Sequence, residues 1–454
     1  MLAGMPLLLV SCFSAKEYQR SEVLPSVEGN YRTDQLPQDT LSLATVHWED
    51  LFTDPILQRH IHEGLENNID IRIALQQIIA AEAYVKQGKA GYYPTLSGLG
   101  SYSHQELSSN SQGGGSLDLY ELSGNLSWEV DIWGKIRSTD RAFQASYLQT
   151  VAAHRAVKTR LIANIASTYF QLLALDEQIA VTKETITTRE NSLSTTQALK
   201  VAGNVSEVGV QQTEAQLYTA QAILLDLEDN VRLLENTMSI LLGKMPTDIE
   251  RGSLENQVIH TDLTIGVPAQ LLGNRPDVMA AEYQLRNAFE LTNVARSNFY
   301  PSLTLSAKGG LQSLEFDNLF NANSLFASLV GGLAQPIFNS RKIRTQYEVS
   351  QAQQEQARLN FRQSFLIAGK EVSDAMYSYQ NATEKIKIKQ KEYNAYTLAT
   401  DYSEQLLNNG MANYLEVLRA RENALNSSLD IINVRNNRLQ AIVDLYEALG
   451  GGWQ

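Results

Sequence analysis

The chain has 454 residues, with 37 Lys and Arg against 50 Asp and Glu and a formal charge of -13 at neutral pH. That balance excludes a general nucleic-acid-binding surface, which needs clustered cations to displace counterions, while the length allows two or three ordinary domains. A single cysteine excludes an intrachain disulfide, and no apolar run is long enough for a transmembrane helix, which takes about 20 residues.

The lone Cys12 follows Leu7, Leu8, Leu9, Val10 and Ser11. An apolar run ending in a small residue reads as the close of an export signal, although Met1 to Val10 holds no Lys or Arg. Residues 1–11 are expected to be a signal remnant, with Cys12 either a lipidation site or a buried, idle thiol. Residues 12–50 read as an extended N-terminal segment.

A helical segment is expected around Asp70 to Lys89, then strands near 94–104 and 119–131. In the first, Leu96, Gly98, Gly100 and Tyr102 alternate with Thr95, Ser97 and Ser101; in the second, Leu122, Gly124, Leu126, Trp128 and Val130 alternate with polar residues. Such alternation marks a strand with two unlike faces. From Lys135 to Ala202 there is neither Gly nor Pro, so a continuous helix of about 100 Å is expected. Gly203 breaks it where the chain reverses, and Val210 to Leu242 is helical again.

The order then repeats. Gly91-Tyr92-Tyr93-Pro94-Thr95-Leu96 returns as Asn298-Phe299-Tyr300-Pro301-Ser302-Leu303, and Lys135-Ile136-Arg137 returns as Lys342-Ile343-Arg344. Gly203 falls on Gly410 and Asp70 on Asp277 at the same displacement of 207 residues. A common offset through separated landmarks indicates duplication of a whole unit, with repeats at 51–257 and 258–454. The second copy predicts a helix from Asp277 to Asn298, strands near 301–311 and 325–337, a long helix over Arg341 to Asn409 interrupted only by Gly369, and a last helix over Met411 to Leu449.

The long helices dilute their apolar stripes with Ala, Ser, Thr and Gln. This suits a wall of helices with neighbours on both sides and one face toward water, although an ordinary bundle fits the same periodicity. Four strands of about ten residues cannot close a barrel, and lipid does not tolerate open edges. Strands in a membrane would therefore need other copies of the chain; a small sheet on a soluble bundle is the alternative.

Enzyme chemistry has little support. His47, Glu49 and Asp50 form a polar group in "HWEDLF", but His60 and His62 stand two apart and so do not share a helical face. No HExxH, GxSxG or Walker segment accompanies them. No catalytic residue, cofactor or metal site is expected.

"LLGNRPDVMAAEYQLRNAFELTNVARSNFYPSLTLSA" (271–307), "WEVDIWGKIR" (128–137) and "GMANYLEVLRARENAL" (410–425) resemble the outer-membrane efflux factor family, the TolC-like channels of tripartite export systems. "LVSC" is similar to the lipobox of its lipoprotein branch. The resemblance implies a mainly α protein with membrane β structure: a homotrimer whose chains each give four strands to a twelve-stranded β-barrel, continued by a long periplasmic α-helical barrel. It implies the cell outer membrane, lipid at Cys12, and a periplasmic adaptor protein and inner-membrane transporter as partners. The expected function is a passive exit duct for drugs or other toxic small molecules. Metal export, type I protein secretion and a non-conducting structural lipoprotein are the alternatives.

The resemblance also places candidate site residues. Glu416 matches an acidic position of the family's periplasmic constriction, and Arg419 stands where the best-studied branch carries a second acid. Arg419 could neutralise Glu416 or pair with Glu422. Tyr414 is expected to pack against the neighbouring hairpin tip, while Glu207 and Gly209 offer a docking surface beside Gly203. Arg275 and Asp277 mark a helix start at Pro276, with Asp277 as a cap.

Overall fold

The computed structural model describes residues 15–20, 43–108, 110, 115–257, 271–412 and 414–453. Cys12 and residues 1–11 lie outside them. The described chain forms two compact units, and each draws on both sequence repeats: one takes residues 15–20, 77–108, 110, 115–151 and 280–362, the other 43–76, 152–257, 271–279, 363–412 and 414–453.

The first unit holds one antiparallel sheet. Its strands are β1 (Thr95–Leu107), β2 (Gly115–Val130), β3 (Ser302–Ser313) and β4 (Leu325–Ala334), in the spatial order β1-β2-β3-β4. β1 and β2 run further toward their shared loop than the alternation predicts. The extra residues Gln105 to Leu107 and Gly115 to Asp118 include polar side chains on both faces, which conceals the period. β4 stops three residues short of expectation because Pro336 has no amide to donate.

Helices fill the rest: α1 (Trp48–Leu51), α2 (Pro55–Asn67), α3 (Ile69–Ala90), α4 (Lys135–Val201), α5 (Glu207–Leu241), α6 (Leu271–Asn274), α7 (Pro276–Ser297), α8 (Lys342–Asn408) and α9 (Tyr414–Leu449). α4 starts where Asp131 accepts hydrogen bonds from the amides of Ile136 (2.9 Å) and Arg137 (3.0 Å). Arg341, expected inside α8, instead precedes it with φ +65°, matching Gly134 with φ +77° before α4. The left-handed turn is retained although its glycine is not.

The second unit has an aromatic core. Phe52 lies 6.2 Å from the Phe170 ring and 6.1 Å from that of Tyr446, and Leu57, Ile61, Ile162, Ile165 and Leu445 are fully buried around them. Small residues set the helix spacing: a Cβ at Gly64 would stand 2.4 Å from Ile165 Cδ1. Many of the hydroxyls diluting α4 are paired within the helix. Thr182, Thr185, Thr188 and Thr195 each donate to the carbonyl four residues back.

Candidate functional site

The sheet has two chemically different faces, although His104 and Asp118 share the apolar side near the loop and Leu99, Phe326 and Val330 lie on the polar side. Directly paired residues share a face, so the register of the three ladders puts Leu96, Leu122, Leu126, Trp128, Leu303, Leu305, Leu325, Leu329 and Leu333 on one side. The other side carries Ser97, Ser101, Glu121, Ser123, Asn125, Thr304, Ser306, Lys308, Gln312 and Ser328. The apolar face is uncovered within the chain: Leu96 is 75% exposed and Leu329 81%. On the polar face Lys308 Nζ lies 2.7 Å from Glu121 Oε1, and Ser123 donates to the same carboxylate. Close strand approach supports this pair. A Cβ at Gly310 would fall 2.1 Å from the Leu122 carbonyl oxygen, so only glycine fits there. The outer edges of β1 and β4 pair with no strand among the described residues.

At the base of the sheet the indole nitrogens bind the backbone: Trp128 donates to the Tyr92 carbonyl (3.0 Å) and Trp133 to that of Pro301 (2.7 Å). Trp133 also stacks on Tyr300 at 4.9 Å. These ring positions suit a membrane-water boundary, where an apolar body and a polar tip are both satisfied.

The helix reversals belong to the second unit. Gly203 (φ +82°) and Gly410 (φ +71°) end α4 and α8 in the same motif, since Asn204 N donates to Leu199 O at 2.9 Å and Met411 N to Leu406 O at 2.8 Å. Both glycines are exposed. Glu207 is also exposed; Lys200 and Gln211 bond its carboxylate and hold it below the usual carboxylate range. Gly209 does not share that exposure. It is buried, with Val205 Cγ1 2.7 Å from where its Cβ would be and the Tyr414 ring beside it.

Tyr414 joins the two reversals. Its hydroxyl lies 2.9 Å from both Thr196 Oγ1 on α4 and Thr213 Oγ1 on α5. Seven residues along α9, Arg421 donates to Glu404 on α8 at 2.7 and 2.9 Å and also to the Ser192 hydroxyl on α4. The sequence motifs did not single out Arg421, Glu404 or Ser192, because a pairing across three helices has no local spacing. Glu416 and Arg419 are exposed, and neither forms an ion pair with any described residue, Glu422 included. Removing the Tyr414 hydroxyl with Tyr414→Phe should weaken the join by about 1 kcal/mol. Amide exchange near Thr196 and Thr213 should speed several-fold, while the core around Phe170 stays unchanged.

Arg275 and Asp277 form a structural knot. The Arg275 side chain, 8% exposed, donates to Asp277 at 2.9 and 2.6 Å, to Glu371 at 2.5 Å and to the Ala448 carbonyl at 3.0 Å. Burial alone would raise the Asp277 carboxyl, but the Arg275 bonds and charge outweigh it and hold the group below its ordinary value.

Of the polar residues of the enzyme alternative, His47 and His62 gather on Glu49 at the surface, while His60 turns away to a backbone carbonyl. His60 Nε2 bonds the Glu250 carbonyl at 2.8 Å, whereas His62 pairs with Glu49 at 2.8 Å and His47 accepts from the Glu49 amide at 3.4 Å. Among the described residues no group of three His, Cys, Asp or Glu is arranged to hold a metal.

Comparison with known proteins accounts for both the two-faced sheet and the paired reversals. The outer membrane efflux protein family matches residues 60–244 and again 267–451, so both ends of the match are displaced by 207 residues. The solvent efflux pump outer membrane protein SrpC of Pseudomonas putida is 29% identical, with 98% of this chain and 97% of that protein aligned. The cation efflux system protein CusC of Escherichia coli is 27% identical over 98% of this chain and 97% of its own length. A solved CusC structure superposes with a TM-score of 0.84, covering 96% of this chain and 99% of that one. SilC of Salmonella typhimurium, named "Probable outer membrane lipoprotein SilC", is 26% identical over 98% of this chain and 97% of its own. The chain belongs to the outer membrane efflux protein family.

Proposed function

We propose that this outer-membrane efflux channel is the passive exit duct of a tripartite pump, working as a homotrimer with a periplasmic adaptor and an inner-membrane transporter. The observation that carries the reading is the sheet: one face apolar, one face polar, and both outer edges unpaired. Lipid admits such a sheet only as part of a closed barrel. Three copies joined edge to edge would give twelve strands, with the apolar face outward and the polar face around water. Cys12, which lies outside the described residues, would carry the lipid anchor, in keeping with the lipoprotein name given to SilC.

The cargo is a small toxic organic molecule rather than a metal ion. The polar face offers hydroxyls, amides and a Lys–Glu pair in place of the thioethers and imidazoles that hold soft metals. Solvent export by SrpC supports this choice, whereas the cation system of CusC is the relative that argues against it.

Glu416 and Arg419 would face the three-fold axis at the tip, where the Tyr414 and Arg421 joins hold the closed state. The test is single-channel current from purified protein in a planar bilayer under a salt gradient. Wild-type protein should conduct. Glu416→Lys reverses three ring charges at once and should move the reversal potential toward anions. Equal reversal potentials and conductances would place Glu416 off the permeation path, and wild-type protein that never conducts would remove the duct reading.

A further inference from the structure

Lys308 is the only Lys or Arg in the four strands. It lies midway along β3, six residues from the strand start at Ser302. An ammonium at that depth costs several kcal/mol if it meets lipid, so its place on the polar face needs an explanation beyond tolerance. The surroundings are specific. Glu121 Oε1 is 2.7 Å from Lys308 Nζ, and the ammonium also stands 5.8 Å from the Phe326 ring centroid, within cation–π range. The two partners differ in access: the Glu121 side chain is 11% exposed and that of Lys308 36%. Ser123, itself buried, donates to the Glu121 carboxylate from the same face. The carboxylate is thus tucked against the sheet, while the ammonium is the charge that solvent reaches.

We propose that Lys308, held by Glu121 and Phe326, is a charge-selecting residue of the barrel itself, presenting a ring of three ammonium groups to the lumen that favours passage of anionic groups. This rests on the trimeric channel reading. It places a second selective element on the strands, independent of the helix reversals. The Glu121 carboxylate compensates the ammonium only in part, because it is the more shielded of the two.

The experiment is reversal potential in a potassium chloride gradient, measured on wild type, Lys308→Gln, Glu121→Gln and the double variant. A charge about 10 Å from a permeating ion acts through water and is screened over about 10 Å at 0.1 M salt. Three such charges together change the ratio of anion to cation permeability roughly fivefold. Lys308→Gln should lower that ratio by about this factor, because three Glu121 carboxylates are left uncompensated. Glu121→Gln should raise it, and the double variant should fall between the two single variants. The shifts should fade at 1 M salt, where screening is nearly complete. Conducting variants with wild-type reversal potentials at low salt would overturn the proposal and leave the pair a strand clasp. A clasp alone would change the heat stability of the oligomer without moving selectivity. Absence of conductance in wild type would instead remove the channel reading on which the proposal rests.

Discussion

Arg275→Ala should lower the thermal midpoint of the detergent-solubilised protein by several degrees. The Arg275 guanidinium satisfies two carboxylates and the Ala448 carbonyl near the end of α9. Removing it leaves Asp277 and Glu371 without their shared cation and the α9 end without a donor. Breaking a buried pair from one side costs about 3–5 kcal/mol. Here both acids have side chains 43% exposed, so water recovers part of that loss, and about 2–3 kcal/mol is the expected cost. Arg275→Lys should recover little, because one ammonium cannot hold the bidentate bond to Asp277 and reach two further acceptors. The pH dependence follows from the lowered Asp277 value. A depressed carboxyl contributes stability that is full above the ordinary Asp value of about 3.9 and is lost as pH falls through the folded value. The gap between wild type and Arg275→Ala should therefore be constant from about pH 5 to 7 and narrow below about pH 4. A gap that widens on acidification would show that the Asp277 contribution has been assigned the wrong sign.

The same position shows why the duplication was readable while the site was not. Asn68 and Arg275 are separated by 207 residues, as are Leu241 and Ala448. In the first copy the Asn68 amide donates to the Leu241 carbonyl at 3.0 Å; in the second, Arg275 donates to the Ala448 carbonyl at 3.0 Å. Two unlike side chains perform one backbone task, and only the positions carry the repeat. Glycines kept their identity where a left-handed turn left them no substitute: Gly243 and Gly450 both have positive φ, and a Cβ there would strike the carbonyl oxygens of Asn67 and Asn274 at 2.4 and 2.3 Å. Arg341 departs from this pattern, taking the left-handed turn without glycine, which is why α8 read one residue too long at its start. Strand alternation identified two faces because its period is local. The Arg421–Glu404–Ser192 join was hidden because those residues lie 17 and 229 positions apart in pairs that only packing brings together. Glu416 and Arg419 stood out through a shared motif, yet their exposure in the single chain means that their role depends on symmetry-related copies.

Placing a charge at Leu329 should block assembly in the outer membrane. Leu329 pairs with Ala307 in the β3–β4 ladder, on the face that also carries Leu126, Leu303 and Leu333, and it is 81% exposed in the single chain. If that face meets lipid, Leu329→Arg costs about 2–4 kcal/mol per chain near the midplane. Three symmetric copies bring roughly 6–12 kcal/mol to one trimer, enough to compete with the folding stability of a whole domain. The matched control is Ser306→Lys. Ser306 neighbours Ala307 on β3 and so sits at nearly the same depth, but the pleat turns it to the polar side opposite Ser127 and Val330. Its new ammonium would meet water, with the Glu129 carboxylate diagonal to it across the β2–β3 ladder and Lys308 two residues along, instead of acyl chains. The heat-resistant oligomer recovered from the outer-membrane fraction is the readout. Leu329→Arg should reduce it at least tenfold, and Ser306→Lys should leave it near wild type. Equal loss in both would mean that charge at this depth disrupts the strands whichever way it points, and the lipid and lumen faces would lose their assignment. The reverse outcome, with Ser306→Lys the more damaging, would turn the sheet inside out and place the Lys308 ammonium against lipid. The unpaired edges alone cannot decide between these arrangements, since a closed barrel satisfies the backbone in either one; the side chains on the two faces must decide.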